Sequence, residues 1–217
     1  MFNEVKKYLK KFWHLLWVDE SLKGWIFAFI FLFIFVKLIF FPTLNFITGT
    51  PMSLAIVESC SMYHKPTIPL IYNFDNWWNN HEDKYKKLGM GENSFKNFLL
   101  KNGFNKGDIL FAVKATPEKL KVGDVIMFDA GQNNPLIHRI IKITKQENEY
   151  IFSTIGDNNQ YSFTETNNVY GIDEINIKEN QLVGKAVFKI APYLGWSKLI
   201  FYDWKKIEVE RGLCHEN

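Results

Sequence analysis

At 217 residues with a net charge of +3, the chain is long enough for one sizeable domain with appendages and too short for two large ones. Its lysines are scattered and form no continuous basic stripe of the kind that phosphate neutralisation requires, so nucleic acid is excluded as the expected partner. The two cysteines, Cys60 and Cys214, are far apart and lack companions at zinc-ligand spacing; neither a disulfide framework nor a zinc site is expected, and they do not report a compartment.

In the first segment, residues 1–23, Val5, Tyr8, Leu9, Phe12, Trp13 and Leu16 recur at helical spacing while Lys6, Lys7, Lys10 and Lys11 fall on the other face. This pattern predicts a basic amphipathic helix lying at a membrane interface. Residues 24–41 then carry a single charge, Lys37, over about the length a helix needs to cross the hydrocarbon core, and Pro42 is expected to end the run. The run is too long and too far from the N-terminus for a cleavable leader, so it reads as one retained transmembrane anchor. Lysines crowd its N-terminal side, whereas the first lysine after it is Lys65. The positive-inside bias therefore predicts a single-pass protein of the cell membrane with a cytoplasmic N-terminus and an extracytoplasmic region at 42–217.

Beyond the anchor the apolar runs are short: Leu54 to Val57, Ile109 to Val113, Val125 to Phe128, Ile137 to Ile143, Tyr150 to Ile155 and Leu182 to Ile190. Broken by Gly, Asn and Pro, they predict a mainly β domain, with a hairpin around Lys145-Gln146-Glu147-Asn148. Between about residues 71 and 106 the texture is helical: Trp77, His81, Tyr85 and Leu88 share a face, and Phe95, Phe98 and Leu99 suggest a second short helix. This is expected to be a small helical insertion. His81, Glu82 and Asp83 are adjacent and point in different directions on a helix, so they read as a solvated face and no metal is expected.

The chemistry-bearing residues lie outside the insertion. A serine hydroxyl attacks a carbonyl only when a neighbouring base takes its proton. Ser59-Cys60-Ser61-Met62 supplies a candidate nucleophile, Ser61, soon after the anchor. His138 lies in a strand where alternation sends its imidazole to one side and Arg139 to the other, which makes it the candidate base. Asp157, in Gly156-Asp157-Asn158-Asn159, ends the strand expected to pair with that of His138, and is expected to orient the imidazole. The Ser61 backbone N–H and the Ser59 hydroxyl are candidate oxyanion donors. His64 is close to Ser61 in sequence, but three residues of turn rarely aim two side chains at one another, and it ranks behind His138.

In this order the pieces resemble signal peptidase I, in the branch found in archaea and the endoplasmic reticulum. Ser59-Cys60-Ser61-Met62 resembles the family's Ser-Gly-Ser-Met box, and Lys121-Val122-Gly123-Asp124-Val125-Ile126-Met127-Phe128 its Gly-Asp-Val-Val-x-Phe strand. Ile137-His138-Arg139-Ile140 matches the His-Arg box, Gly156-Asp157-Asn158-Asn159 the Gly-Asp-Asn-Asn box, and Pro192-Tyr193-Leu194-Gly195-Trp196 the closing turn. The bacterial-type enzymes place a lysine where this chain has His138. The resemblance therefore implies a β-rich peptidase domain of signal-peptidase type and a serine endopeptidase acting on exported preproteins. It would use Ser61 as nucleophile, His138 as base and Ser59 at the oxyanion, and no cofactor or metal.

The resemblance leaves the acid open. The family often has an aspartate a few residues past Gly-Asp-Asn-Asn, where this chain has Gln160-Tyr161-Ser162-Phe163; Asp157 remains, with Glu165 as the alternative. The implied partners are the signal peptides of preproteins, the lipid bilayer and the protein translocation machinery. The aromatic tail from Tyr193 to Trp204 is expected to rest against the outer headgroups, in competition with ordinary core packing. Two other readings stand beside the peptidase. One is a catalytically silent, membrane-anchored β module that binds a partner protein; the other is a self-cleaving repressor-type peptidase, which would be soluble and use lysine.

Overall fold

The computed structural model describes residues 2–68, 71–147, 149–164, 166, 168, 170–206 and 211–215. The chain divides into two units, one up to Ile47 and one from Thr48 onward. In the first, helix α1 (Phe2–Trp17) is amphipathic as expected and sets Phe12 edge-on to Phe27 and Phe31, with ring centroids 5.7 and 5.3 Å apart. The next helix is N-capped by Ser21, whose hydroxyl accepts from Gly24 N–H at 3.2 Å.

Helix α2 (Leu22–Phe35) passes through a π-helical turn, Val36–Phe40, into α3 (Phe41–Thr48). Together they make one 27-residue helix, Leu22–Thr48, long and apolar enough to cross a membrane. The expected stop at Pro42 is absent. Proline lacks an N–H and its ring crowds the carbonyl four residues earlier, which normally breaks a helix. Here the wider π turn lies immediately before it, with Phe41 N–H donating to Val36 O, and the chain continues as helix for another turn and a half.

The second unit is the mainly antiparallel β domain with a helical insertion that the sequence predicts. Its strands are β1 (Leu54–Ile56), β2 (Ile109–Val113), β3 (Val125–Phe128), β4 (Leu136–Gln146), β5 (Glu149–Ile155), β6 (Ile177–Lys178) and β7 (Leu182–Ala191). They form one sheet in the order β1-β2-β7-β3-β4-β5-β6. The β4–β5 hairpin is present and pairs as far as Gln146 with Glu149, Glu147 entering the turn at φ 52°. Strand β6 is too short to show a period in the sequence. Ile126, Phe128, Ile140, Phe152 and Ile177 form one core layer, and Val57, Met62, Phe104, Leu110 and Val125 a second under β1 and β2.

The insertion holds α4 (Phe74–Lys87), capped by Asn73, and α5 (Glu92–Lys96), with Gly89 supplying the left-handed residue after α4. Trp77, Trp78, Tyr85 and Phe95 pack on Ile155 of β5, which seats the insertion on the sheet. His81 bonds the Trp77 carbonyl at 2.8 Å and Glu82 pairs with Lys86.

After β7 the chain makes a tight turn into α6 (Trp196–Leu199). Gly195 N–H donates to Gly107 O at 2.7 Å, and the Trp196 indole N–H to Lys106 O at 3.0 Å. Trp196 is thus committed to packing within the domain, whereas Leu194, Ile200, Phe201 and Trp204 are exposed. The last described stretch returns to the start of the domain, where Cys60 and Cys214 form a disulfide with Cα atoms 5.3 Å apart. This corrects the expectation that the cysteines indicate no disulfide framework. Their separation of 154 residues gave no local signal, and the pairing comes from the return of the chain after α6.

Gly107 tests that return. It adopts φ +88°, and a Cβ there would lie 2.2 Å from the Trp196 ring. Gly107→Ala should therefore cost about 2 kcal/mol or more, seen as a lower urea midpoint, because left-handed strain and a ring clash coincide; a midpoint within error of wild type would refute this docking.

Candidate active site

The turn that carries Ser61 is held from three directions. From the turn before β2, Asp108 O accepts from Val57 N–H at 2.9 Å and Gly107 N–H reaches Val57 O at 2.8 Å. From the insertion's far end, Phe104 N–H donates to Met62 O at 2.9 Å while Met62 is buried in the core. From the end of β5, Asn158 N–H donates to Ser61 O at 2.8 Å and its side-chain amide to Cys60 O at 3.1 Å. Gly156 permits this last approach, since a Cβ there would stand 2.7 Å from Ser61 O.

Ser61 is half-buried and Ser59 exposed, with their hydroxyl oxygens 3.1 Å apart. Both line a cavity of about 450 Å³ that also contains His138. The sequence-predicted nucleophile, its oxyanion partner and the base are therefore brought to one cavity. His138 is buried, and its Nδ1 bonds the carboxylate of Glu174. Glu174 is fully buried and held in place: Thr154 Oγ1 donates to Oε1 at 3.0 Å and Phe163 N–H to Oε2 at 2.8 Å. Its backbone extends the β5 edge through Thr154 N–H to Glu174 O at 2.8 Å.

Glu174 is the residue that the sequence reading missed, and Asp157 does not stand where that reading put it. The reason is strand parity. Arg139 pairs with Ile155 and Ile140 with Thr154, so Thr154 shares the His138 face whereas Asp157, two past Ile155, follows the Arg139 face. Arg139 binds Asp157 with two nitrogens, Nε to Oδ1 at 2.9 Å and Nη2 to Oδ2 at 2.6 Å. Tyr85 OH donates to Oδ1 at 2.7 Å, and His64 Nε2 meets Oδ2 at 2.9 Å. His64 is thus a partner of Asp157, stacked on Trp77 with centroids 3.6 Å apart, and it is absent from the Ser61 cavity. Glu165, the alternative acid, lies outside the described residues. The only signal for Glu174 was an acidic pair inside Ile172-Asp173-Glu174-Ile175, an apolar context that favours burial of one of the two.

Their partners separate the two carboxylates: Asp157 is bound by a guanidinium, Glu174 by an imidazole. Burial alone would raise the Asp157 carboxyl, but the Arg139 guanidinium and the bonds from His64 and Arg139 hold it well below the usual carboxylate range. It is a fixed anion. Burial pushes His64 down to about 4 in spite of its bond to Asp157, so that ring is neutral and donates from Nε2. Glu174 bonds Nδ1 of His138, so Nε2 is the ring nitrogen that this carboxylate does not engage. A carboxylate bound to an imidazole, in a cavity that a serine hydroxyl also lines, suits activation of a hydroxyl for acyl transfer.

No protein-family model matches the chain. It is similar to the signal peptidase complex catalytic subunit SEC11C of Homo sapiens, 29% identical over 107 residues, covering 48% of this chain and 54% of the relative. It is also similar to the signal peptidase complex catalytic subunit SEC11 of Colletotrichum graminicola, 29% identical over 107 residues, 48% of this chain and 60% of the relative. The chain thus spans little more than half the length of these curated relatives. The resemblance carried by the motifs, to the endoplasmic-reticulum branch of signal peptidase I, is also the one that these matches return over about half of the chain.

Two outcomes follow for the Asp157 cluster. Asp157→Asn strands a buried guanidinium and should cost about 3–5 kcal/mol in chemical denaturation. For His64 the folded value is about 4 against an ordinary 6.5, so its contribution is complete above 6.5 and is lost as pH falls toward 4, where the unfolded chain alone takes up a proton. The urea midpoint should therefore drop between pH 7 and pH 5 by more in wild type than in His64→Gln; parallel curves would contradict this assignment.

Proposed function

We propose that the chain is a membrane-anchored serine endopeptidase that removes signal peptides from exported preproteins. The observation that carries the reading is the convergence of Ser61, Ser59 and His138 on one cavity, with His138 Nδ1 bound to the buried carboxylate of Glu174. The SEC11 relatives, named as signal peptidase complex catalytic subunits, support the substrate class.

The chemistry follows from the arrangement. Glu174 fixes the tautomer with the proton on Nδ1, so Nε2 takes the proton of Ser61 as Oγ attacks the scissile carbonyl. Negative charge developing on the carbonyl oxygen is met by the Ser61 N–H and the Ser59 hydroxyl. As the tetrahedral intermediate collapses, Nε2 gives that proton to the leaving amine and the C–N bond breaks; a water then attacks the acyl-enzyme while its proton passes to the freed Nε2, which returns it to Ser61 Oγ as the ester bond breaks.

The substrate would bind as an extended strand. β1 is an edge strand, and β4 pairs with β5 only from Arg139 onward, so Leu136 and Ile137 keep one side of their backbone unpaired by the sheet. A groove of about 270 Å³, bounded by Leu54, Ile56, Ala55, Pro135 and Leu136, lies between these two edges and ends at Ser59. A peptide laid there gains backbone hydrogen bonds from both sides, and a preference for small residues before the cut is what the resemblance to signal peptidase I implies.

The anchor holds enzyme and signal peptide in one two-dimensional phase, which raises their effective concentration. The Cys60–Cys214 disulfide supports an extracytoplasmic catalytic domain with a cytoplasmic N-terminus, because such bonds persist in oxidising compartments. Contact with translocation machinery and with lipid completes the proposed setting.

Cleavage of a preprotein in detergent tests the reading. Ser61→Ala and His138→Ala should abolish processing, and Glu174→Gln should lower kcat by about 10²–10⁴-fold, as loss of a tautomer-fixing carboxylate does. Equal processing by wild type and Ser61→Ala would exclude the mechanism. No processing by any form would leave the chain a membrane-anchored β module that binds a partner.

A further inference from the structure

The groove along β1 and the cavity that holds Ser61 and His138 meet at Glu58, Ser59 and Leu136. A peptide that lies in the groove and passes Ser61 must continue into that cavity. Part of the cavity wall comes from an unexpected place: Arg211, Leu213 and His215 of the returning chain line it together with Tyr170 and Ile172.

This wall is firmly held. Cys214 is bonded to Cys60, which lies between the two serines, so the wall is tethered to the nucleophile turn itself. On one side of that tether Gly212 N–H donates to Asp203 Oδ2 at 2.7 Å, and Asp203 pairs with the buried Lys106. On the other side Asn158 Nδ2 donates to His215 O at 3.0 Å, and the same amide bonds Cys60 O. Leu213, between these anchors, is two-thirds exposed. Its side chain is therefore not used in the core, although its backbone is fixed on both sides at the mouth of the cavity. An apolar side chain held in water at a reacting centre loses solvation-related free energy that an apolar ligand group recovers by covering it.

We propose that the disulfide-tethered segment Arg211–His215 is a specificity wall: Leu213 contacts the substrate residue that lies past the scissile bond from the β1 groove, and selects for apolar side chains there. The proposal rests on the endopeptidase reading. It assigns the tether the task of keeping Leu213 in register with Ser61, a task that a disulfide placed anywhere else in the domain would not perform.

The test uses the full chain in detergent and preprotein-derived peptides that differ only in carrying Leu, Lys or Glu at the first two positions past the cut. Wild type should prefer the Leu peptide. Leu213→Glu keeps the disulfide, verified by non-reducing gel mobility, and should shift the kcat/KM ratio of Leu to Lys peptide by about tenfold in favour of Lys, the scale of one altered pocket contact. Cys214→Ser, which frees the wall, should narrow the spread across the panel. A general packing role would lower all three peptides alike, so unchanged ratios in both variants would overturn the wall while leaving the peptidase standing. Should wild type cleave no better than Ser61→Ala, the endopeptidase reading fails and the wall with it.

Discussion

The buried pair of Arg139 and Asp157 is the constraint on which the domain's parts agree. Arg139 spends its other donors on the carbonyls of Leu99, Leu100 and Gly123, and lies over the Phe95 ring. Asp157 takes up Tyr85 and His64, while its own backbone leads into the segment that bonds Ser61. Desolvating two charges is expensive and is tolerated only where hydrogen bonds satisfy both groups, as they do here. One ion pair therefore joins the helical insertion, the sheet and the nucleophile turn. The insertion is a structural partner of the site and not an ornament upon it.

Strand β4 shows how neighbouring residues can serve opposite ends of a mechanism. His138 faces the cavity and Glu174, while Arg139 faces the insertion and Asp157. The two carboxylates never compete for the same base, because the sheet stands between their faces. The hydrogen bonds to Glu174 come from Thr154 and Phe163, so the acid depends on the edge of β5 for its position.

Much of this was legible in the sequence, for stated reasons. Strands from Ile109 to Val113 and from Val125 to Phe128 have the predicted bounds, because short apolar runs between glycines and polar turns leave little else for them to be. That Ser61 and His138 share a cavity was legible, because alternation and motif order both single them out. The carboxylate beside His138 was not. Asp157 and Glu174 differ in the face they reach, and face depends on a pairing register that no single strand encodes. The end of the long helix was misread because Pro42 breaks a regular α-helix, whereas a π turn relieves the crowding. The disulfide was missed because its two halves share no local pattern.

That disulfide also orders events in time. Cys60 is synthesised before almost every strand of its domain, and Cys214 after all of them. The nucleophile turn can therefore gather its hydrogen bonds from the turn before β2, the insertion and the end of β5 while its covalent partner is still unmade. The ring cannot close until residue 214 has been made, and until then the cavity around Ser61 lacks the wall that residues 211–215 supply, a consequence set by where along the chain the second sulfur is placed.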